Sequence, residues 1–465
     1  MDTIGIILAA GHGKRIKSEL PKVAHTIWGK PSVCRVVHAI KNGLNCKKII
    51  IVVGIKAEEI IKLLNNDKNI IFAYQKQPKG TGHALQVALE YIKKNLNCNI
   101  YVIPGDAGLI DVQTIKMFKN NFEKSNSDLM LLTGYYDGPI ENNYYGRILK
   151  TDNGEIIDIL QHKDILNMKL SSIYTINYKN KNYHFKKEQL LNIREFDSGI
   201  FAFKIKPLKE CIYKLKPDNI QKEIYITDLV KIFRNSGFKT SSIKAPNSDL
   251  LLGFNNKSTL KKMEETLRKK YYEILKDIIS IEDDENFFIA EEVIEKIIKI
   301  DKSKGPLDIF IGEGSYISSG VRINKGLSIG KYAVLNGNIV LGKNVKIGDN
   351  TKILTYPNQV LKIDNNTEIL SGDIIKGNTQ IGKNVRIETG VNITGSDEYP
   401  IKIGDNTLIK GTTYIFGSII EPNNWIEQSI IVKKYVQCIK KSDGTIQKIK
   451  YIYPLPEGMD SLKSI

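Results

Sequence analysis

The chain has 465 residues, 42% of them hydrophobic and 26% charged, values ordinary for a globular protein and enough for two or three domains with cores of their own. Its net charge of +17 comes without an arginine-rich block, an RNP motif or a basic stripe with interleaved aromatics; it reads as a lysine-rich surface that modestly favours phosphate-bearing substrates, not as a nucleic-acid interface. No segment nears the ~20 apolar residues of a membrane helix, residues 4–10 lack the length and cleavage site of a signal peptide, and five scattered cysteines without a C-x-x-C pair exclude a disulfide framework or zinc site and suit a cytoplasmic protein.

In chain order, the first half alternates short apolar strands with helical stretches. Residues 4–9, 48–53, 99–104 and 128–135 are rich in Ile, Leu and Val and read as buried strands. Between the first two, Val33, Val36, Val37, Ile40 and Leu44 recur at helical spacing behind a helix-starting Pro31. Such alternation predicts an α/β fold with a doubly wound, mainly parallel sheet over residues 1–255. A helical linker follows over 256–305. Within it, residues 258–281 predict one long connecting helix, ended by Glu282-Asp283-Asp284-Glu285.

The second half carries a repeat. Aliphatic residues fall at Ile311, Ile317, Ile323, Ile329, Leu335, Leu341, Ile347 and Ile353, then from Ile363 to Ile393 and from Ile403 to Ile415, every sixth position within each run. A coil with three flat faces explains that period, with the aliphatics stacked inside. It looks like a left-handed β-helix of hexapeptide repeats, expected over 306–430. The tail 431–465 does not fit the hexads; Lys441-Ser442-Asp443-Gly444 within it reads as a hairpin turn between residues 435–439 and 445–453.

Three features could carry chemistry. The first strand runs into Gly11-His12-Gly13-Lys14-Arg15, where glycines let successive N–H groups approach a phosphate chain and the cations offset its charge. The loop is neither a Walker A sequence nor a G-x-G-x-x-G fingerprint, and alone it is equally a tight connection. Lys22, in Leu20-Pro21-Lys22, adds a cation. Gly105-Asp106 ends the strand over 99–104, a place where ligands bind in open α/β sheets; its carboxylate is either a loop cap or one of the few protein oxygens that Mg2+ needs beside substrate phosphates.

Taken together, ordered segments resemble the sugar-1-phosphate nucleotidyltransferases, closest to the bacterial N-acetylglucosamine-1-phosphate uridylyltransferase branch. They are Leu8-Ala9-Ala10-Gly11 with Gly13 and Arg15; Leu20-Pro21-Lys22-Val23 with His25 and Gly29-Lys30-Pro31; Gln75 with Gly80-Thr81-Gly82-His83-Ala84; Gly105-Asp106; Tyr145-Gly146-Arg147; His162-Lys163-Asp164; Glu223-Ile224-Tyr225-Ile226-Thr227-Asp228; and Gly253-Phe254-Asn255-Asn256. The resemblance implies a Rossmann-like domain in which Leu8, Ala9, Ala10, Gly11, Gly13, Gln75, Gly80, Thr81 and Gly105 bind the nucleotide. It also implies Arg15 and Lys22 as catalytic cations on the triphosphate, Asp106 and Asn255 as Mg2+ ligands, and Gly146, Gln161 and Asp197 at the sugar.

The sugar end departs from that family. Gln161 stands where the family has glutamate, Asp197 where it has asparagine, and the stretch between carries a tyrosine- and lysine-rich insert around 171–189. The β-helix departs further. All six histidines lie within the first 184 residues, so the histidine-based acetyl transfer of the bifunctional relatives lacks its base. The resulting expectation is Mg2+-dependent transfer from UTP to N-acetylglucosamine 1-phosphate, giving UDP-N-acetylglucosamine and pyrophosphate. The alternatives are the same chemistry with another sugar or dTTP, and a non-catalytic scaffold that binds a sugar nucleotide. The β-helix is expected to build a homotrimer, and neither nucleic acid nor membrane is expected as a partner.

Overall fold

Strand β1 (Asp2–Leu8) shows why the first half folds as a covered sheet. Ile4 and Ile6 belong to one buried core while Ile7 and the adjoining Ala9 belong to another, so both faces of the strand demand a lid of helices. The same alternation recurs in β2 (Lys48–Val53), β3 (Ile70–Tyr74) and β4 (Cys98–Pro104): Ile50, Val52, Ile100 and Val102 on one side, Ile49, Ile51, Tyr101 and Ile103 on the other. The helix Ser32–Leu44 places Val33, Val36, Val37, Ile40 and Leu44 against the second face.

The computed structural model describes residues 2–11, 13–65, 67–93 and 96–452. It divides into two units, Met1–Glu264 and Glu265–Ile465. The first unit adds β5 (Leu129–Tyr135), β6 (Arg147–Lys150), β7 (Ile156–Leu160), β10 (Glu195–Lys204) and β11 (Thr240–Lys244) to one sheet ordered β11-β5-β10-β4-β1-β2-β3, with β6 pairing β10 and β7. The expected α/β, mainly parallel sheet is present. Antiparallel pairing enters through β10, which runs against both β4 and β5, and through β6, which pairs antiparallel with β10 and β7. The start of β10 therefore lies beside the ends of its neighbours, and a register shift between Asp197 and Ile200 bends it there. The insert forms a hairpin, β8 (Ile173–Tyr178) with β9 (Lys181–Lys186). Ile176 and the following Leu190 pack on Leu149, Ile157 and Ile165 as a small core of their own.

The second unit is the parallel β-helix expected from the hexads, of the left-handed class, built as three ladders of short strands. Partners such as Phe310, Ser328 and Lys346 lie a full coil of three hexads apart in register. The hexad aliphatics are buried inside, except Ile323, which is half-buried beside a lone bridge from Arg322 to Val340. At one corner Asn344, Asn366, Asn384, Asn406 and Asn423 stack with left-handed backbone. Each side-chain amide donates to the next at 3.0–3.2 Å.

Coiling begins upstream of the expected 306, at Ser280–Ile281 and Phe288–Ile289, which pair with Phe310–Ile311 and Tyr316–Ile317. The helix Lys257–Leu275 stops before the acidic stretch, and a second helix, Glu291–Lys304, interrupts the first coil. The tail turns at Lys441–Thr445 as the hairpin reading anticipated, with Lys440 bridging Ile446. Ile449 then returns to hydrogen-bond Trp425 and Glu427, adding a last rung over the ladders; Tyr453 lies outside the described residues. All five cysteines are free. Among the described residues no helix is long and apolar enough to cross a membrane.

Candidate active site

A cavity of about 730 Å3 opens along the carboxyl ends of β1 and β4 in the first unit, the position at which open α/β sheets bind ligands. Of the residues singled out in the sequence, Leu8, Ala10, Gly11, Gly13, Arg15, Lys22, Gln75, Gly80, Thr81, Asp106, Gln161, Asp197 and Asn255 line it. Ala9, Gly105 and Gly146 are buried behind the wall. Ala9 donates its N–H to Val52, Gly105 to Leu8, and the Gly146 carbonyl accepts the Asp197 N–H at 3.0 Å. Their contribution is to hold the lining segments together. His12 lies outside the described residues.

At one end, Gln75 donates to the Gly80 carbonyl at 3.3 Å and to His83 Nδ1 at 2.8 Å. Burial holds the His83 imidazole below its ordinary pKa, with Lys79 adding to the effect, so it is available as a neutral acceptor. Gly80 has φ 108°, and a Cβ there would lie 2.5 Å from the Ile224 carbonyl oxygen. Ile224 donates to the Lys79 carbonyl and accepts from Gly82, both at 2.8 Å, while Thr81 Oγ1 accepts the Ile226 N–H. A glycine is therefore required for the two segments to run this close.

The centre is cationic. Lys22 Nζ donates to Asp106 and, at 3.0 Å, to Asn255 Oδ1, which also accepts from Arg15 Nη2 at 3.0 Å. The Lys22 ammonium stands over the face of the buried Phe254 ring (5.6 Å), and His25 meets that ring edge-on. Burial, with Lys257 nearby, keeps His25 below its ordinary pKa, so it adds no competing charge beside Lys22. Two hard oxygens from separate segments thus converge on one positive group. That donor set suits Mg2+, which takes one or two protein oxygens and leaves the remainder to phosphates and water. No group of three or more Asp, Glu, His or Cys among the described residues is placed to enclose a metal by itself.

At the other end, the bulge of β10 presents Asp197, which accepts the Gly199 N–H at 2.8 Å, while Gln161 Nε2 lies 3.5 Å from Thr227 Oγ1. Asp197 meets the cavity yet sits deep among protein atoms, and that burial pushes its pKa up to about 6. Gln221, Glu223, Tyr225 and Thr227 complete this wall. Glu223, Tyr225 and Thr227 belong to a segment that carried no role in the sequence, and Gln221 to none of the motifs; the close pairing of Ile224 with the Gly80 turn is what brings them in. The hairpin insert does not reach the cavity.

A glycine-lined loop with clustered cations and a hard-oxygen pair at strand ends has the parts that binding a phosphate chain calls for. Residues 5–145 match the family of the MobA-like NTP transferase domain. The chain is also similar to particular curated proteins. The chain is 33% identical over 295 residues to the bifunctional protein GlmU of Clostridium tetani, covering 63% of this chain and 59% of that protein. It is 32% identical over 291 residues to that of Acetivibrio thermocellus (62% and 57%), and 34% identical over 282 residues to that of Clostridium botulinum strain Eklund 17B (60% and 54%). The matched stretch thus spans less than two thirds of each of these relatives' length.

Proposed function

We propose that the first unit transfers a nucleotide from UTP to a sugar 1-phosphate, N-acetylglucosamine 1-phosphate in the leading reading, with release of pyrophosphate. The observation that carries this is the meeting of Arg15, Lys22, Asp106 and Asn255 midway along a cavity that has an amide-and-glycine end and a carboxylate-and-amide end. Gln75 and the Gly80–Thr81 backbone read the base. Lys22 and Arg15 bind the triphosphate and offset the charge gathering on departing pyrophosphate. The sugar phosphate is already anionic, so its oxygen attacks the α-phosphorus without a general base, and orientation in the cavity supplies most of the acceleration. Asp106 and Asn255 would hold Mg2+, whose chemistry is to neutralise phosphate charge.

This reading places the protein in the cytoplasm. The β-helix, without a histidine, serves assembly. Phe288, Tyr316, Val334, Ile374, Tyr414 and Ile430 stand outward along one ladder, interrupted by Lys352 and Asn392, a mostly apolar row that supports a homotrimer. The exchanged Gln161 and Asp197 favour testing other sugars and dTTP alongside the leading pair. A panel of nucleoside triphosphates and sugar 1-phosphates with a pyrophosphate readout decides. Release with UTP and N-acetylglucosamine 1-phosphate, dependent on Mg2+ and reduced at least about 1,000-fold in Asp106→Ala, is expected. Absence of release with every pair would remove the proposal.

A further inference from the structure

Among the ordered segments singled out in the sequence, Arg147 and His162 take no part in the proposed reaction. Arg147 opens β6, where it pairs with Phe196 of β10 and Leu160 of β7. Its side chain is fully buried and does not line the cavity. The guanidinium reaches back to the turn that precedes it. Nη1 donates to Asn143 Oδ1 at 3.0 Å and to the Tyr145 carbonyl, and Nη2 donates to the Asn143 carbonyl at 2.8 Å. Every one of these acceptors is neutral. Among the described residues Arg147 forms no ion pair. Burial alone pushes its pKa down to about 10, so the positive charge persists at neutral pH.

The charge is also short of acceptors. A guanidinium carries five N–H donors, and Nε has no hydrogen-bond partner among the described residues. Asn143 is fully buried as well. Its Oδ1 accepts from Nη1 and, at 3.3 Å, from the Tyr145 N–H, which fixes the orientation of the amide. Nδ2 is left as a second buried donor without a partner among the described residues. His162 Nδ1 is a third such nitrogen, and its ring meets Tyr144, the residue after Asn143, edge-on at 5.4 Å. A cation is kept in a protein interior at a large cost unless a negative charge and a full set of acceptors compensate it. Here two unpartnered donors lie on side chains in direct contact, and one of them belongs to the uncompensated charge itself.

We propose that Arg147 Nε and Asn143 Nδ2 bind a monatomic anion, chloride, beside the turn over residues 143–147. Donors around a fixed positive charge select an anion. A phosphate or carboxylate ligand would bring a larger body and several acceptor oxygens into a place that the cavity does not reach; a halide needs only the donors on hand. The ion supplies the negative charge that the surrounding side chains omit. It also completes the hydrogen bonding of the turn whose Gly146 carbonyl accepts the Asp197 N–H at 3.0 Å. Binding of this ion is independent of which nucleotide or sugar the cavity takes.

The test compares thermal unfolding of the full-length protein in sodium chloride and in sodium gluconate at equal ionic strength. A ligand that binds only the folded state raises the unfolding temperature as its concentration rises. Chloride is expected to add about 2–4 °C per tenfold increase above its Kd, with gluconate adding almost nothing. Asn143→Asp sets a carboxylate against Nη1 and supplies the missing charge internally, so it is expected to unfold at the same temperature in both salts. Arg147→Met, which removes the cation, is expected to do the same. In crystals grown with sodium bromide, anomalous scattering is expected to show a bromide in contact with Arg147 Nε. Equal unfolding temperatures of the wild type in the two salts would overturn the site. So would a full chloride response retained in either variant, or a water alone beside Nε in the bromide crystals. Should a variant fail to fold, the wild-type salt comparison and the bromide crystals decide without it.

Discussion

Gly80 shows how much one missing side chain decides. Its φ of 108° lies outside what L-residues adopt readily, and a Cβ would meet a backbone oxygen that cannot swing away. Gly80→Ala is expected to cost about 2–4 kcal/mol. It should show as a lower melting temperature together with a raised KM for the nucleotide, because the segments around Gln75 and Ile224 part. The strand end that carries Asp106 was legible in the sequence pattern itself, whereas the roles proposed for Lys22, Asp106 and Asp197 came through resemblance. Nothing local announces that β10 runs against its neighbours, and that reversal is what brings its start to the site.

At the scale of elements, the β-helix contains a buried liability. Asp373 is fully buried at a coil corner; one oxygen accepts the Val391 N–H at 2.7 Å while Oδ2 has no hydrogen-bond partner among the described residues. Burial pushes its pKa up to about 7. Because the folded pKa is the higher one, both states are protonated below about pH 4 and the stabilisation is complete there. It falls as pH rises from the unfolded value of about 3.9 through 7, as only the unfolded chain ionises freely. Asp373→Asn should flatten that slope and raise the unfolding temperature at pH 8 relative to the wild type, measured by scanning calorimetry from pH 4 to 8. A wild-type slope unchanged by the substitution would show that Asp373 does not titrate there. The hexads were readable because each buried aliphatic answers the same geometry. The first coil was not, since the helix Glu291–Lys304 separates its short strands from their partners and hides the period.

At the scale of the whole molecule, the two units divide the work that the sequence had divided by periodicity, strand–helix alternation before residue 264 and coils after it. The hairpin insert closes a small core beside β6 and β7, and none of its residues is among those that line the cavity. The trimer proposal carries its own check. Light scattering should give three times the chain mass, falling toward one chain when Tyr316 and Tyr414, on the same ladder, are both changed to lysine. Retention of the trimer in Tyr316→Lys/Tyr414→Lys would exclude that ladder as the contact.

The asparagine stack also bears on how the molecule ages. Its amides all donate in one direction, from Asn344 toward Asn423, so every interior rung is at once a donor and an acceptor. Hydrolysis of one such amide to a carboxylate removes the donor, sets a negative charge against the next oxygen, and parts the stack at that rung. Asn344, Asn366, Asn384 and Asn406 are each followed by Val or Thr, whose branched side chains crowd the backbone nitrogen that would have to attack the amide. Sequence neighbours that look like filler between hexads thereby protect the corner on which successive coils are aligned.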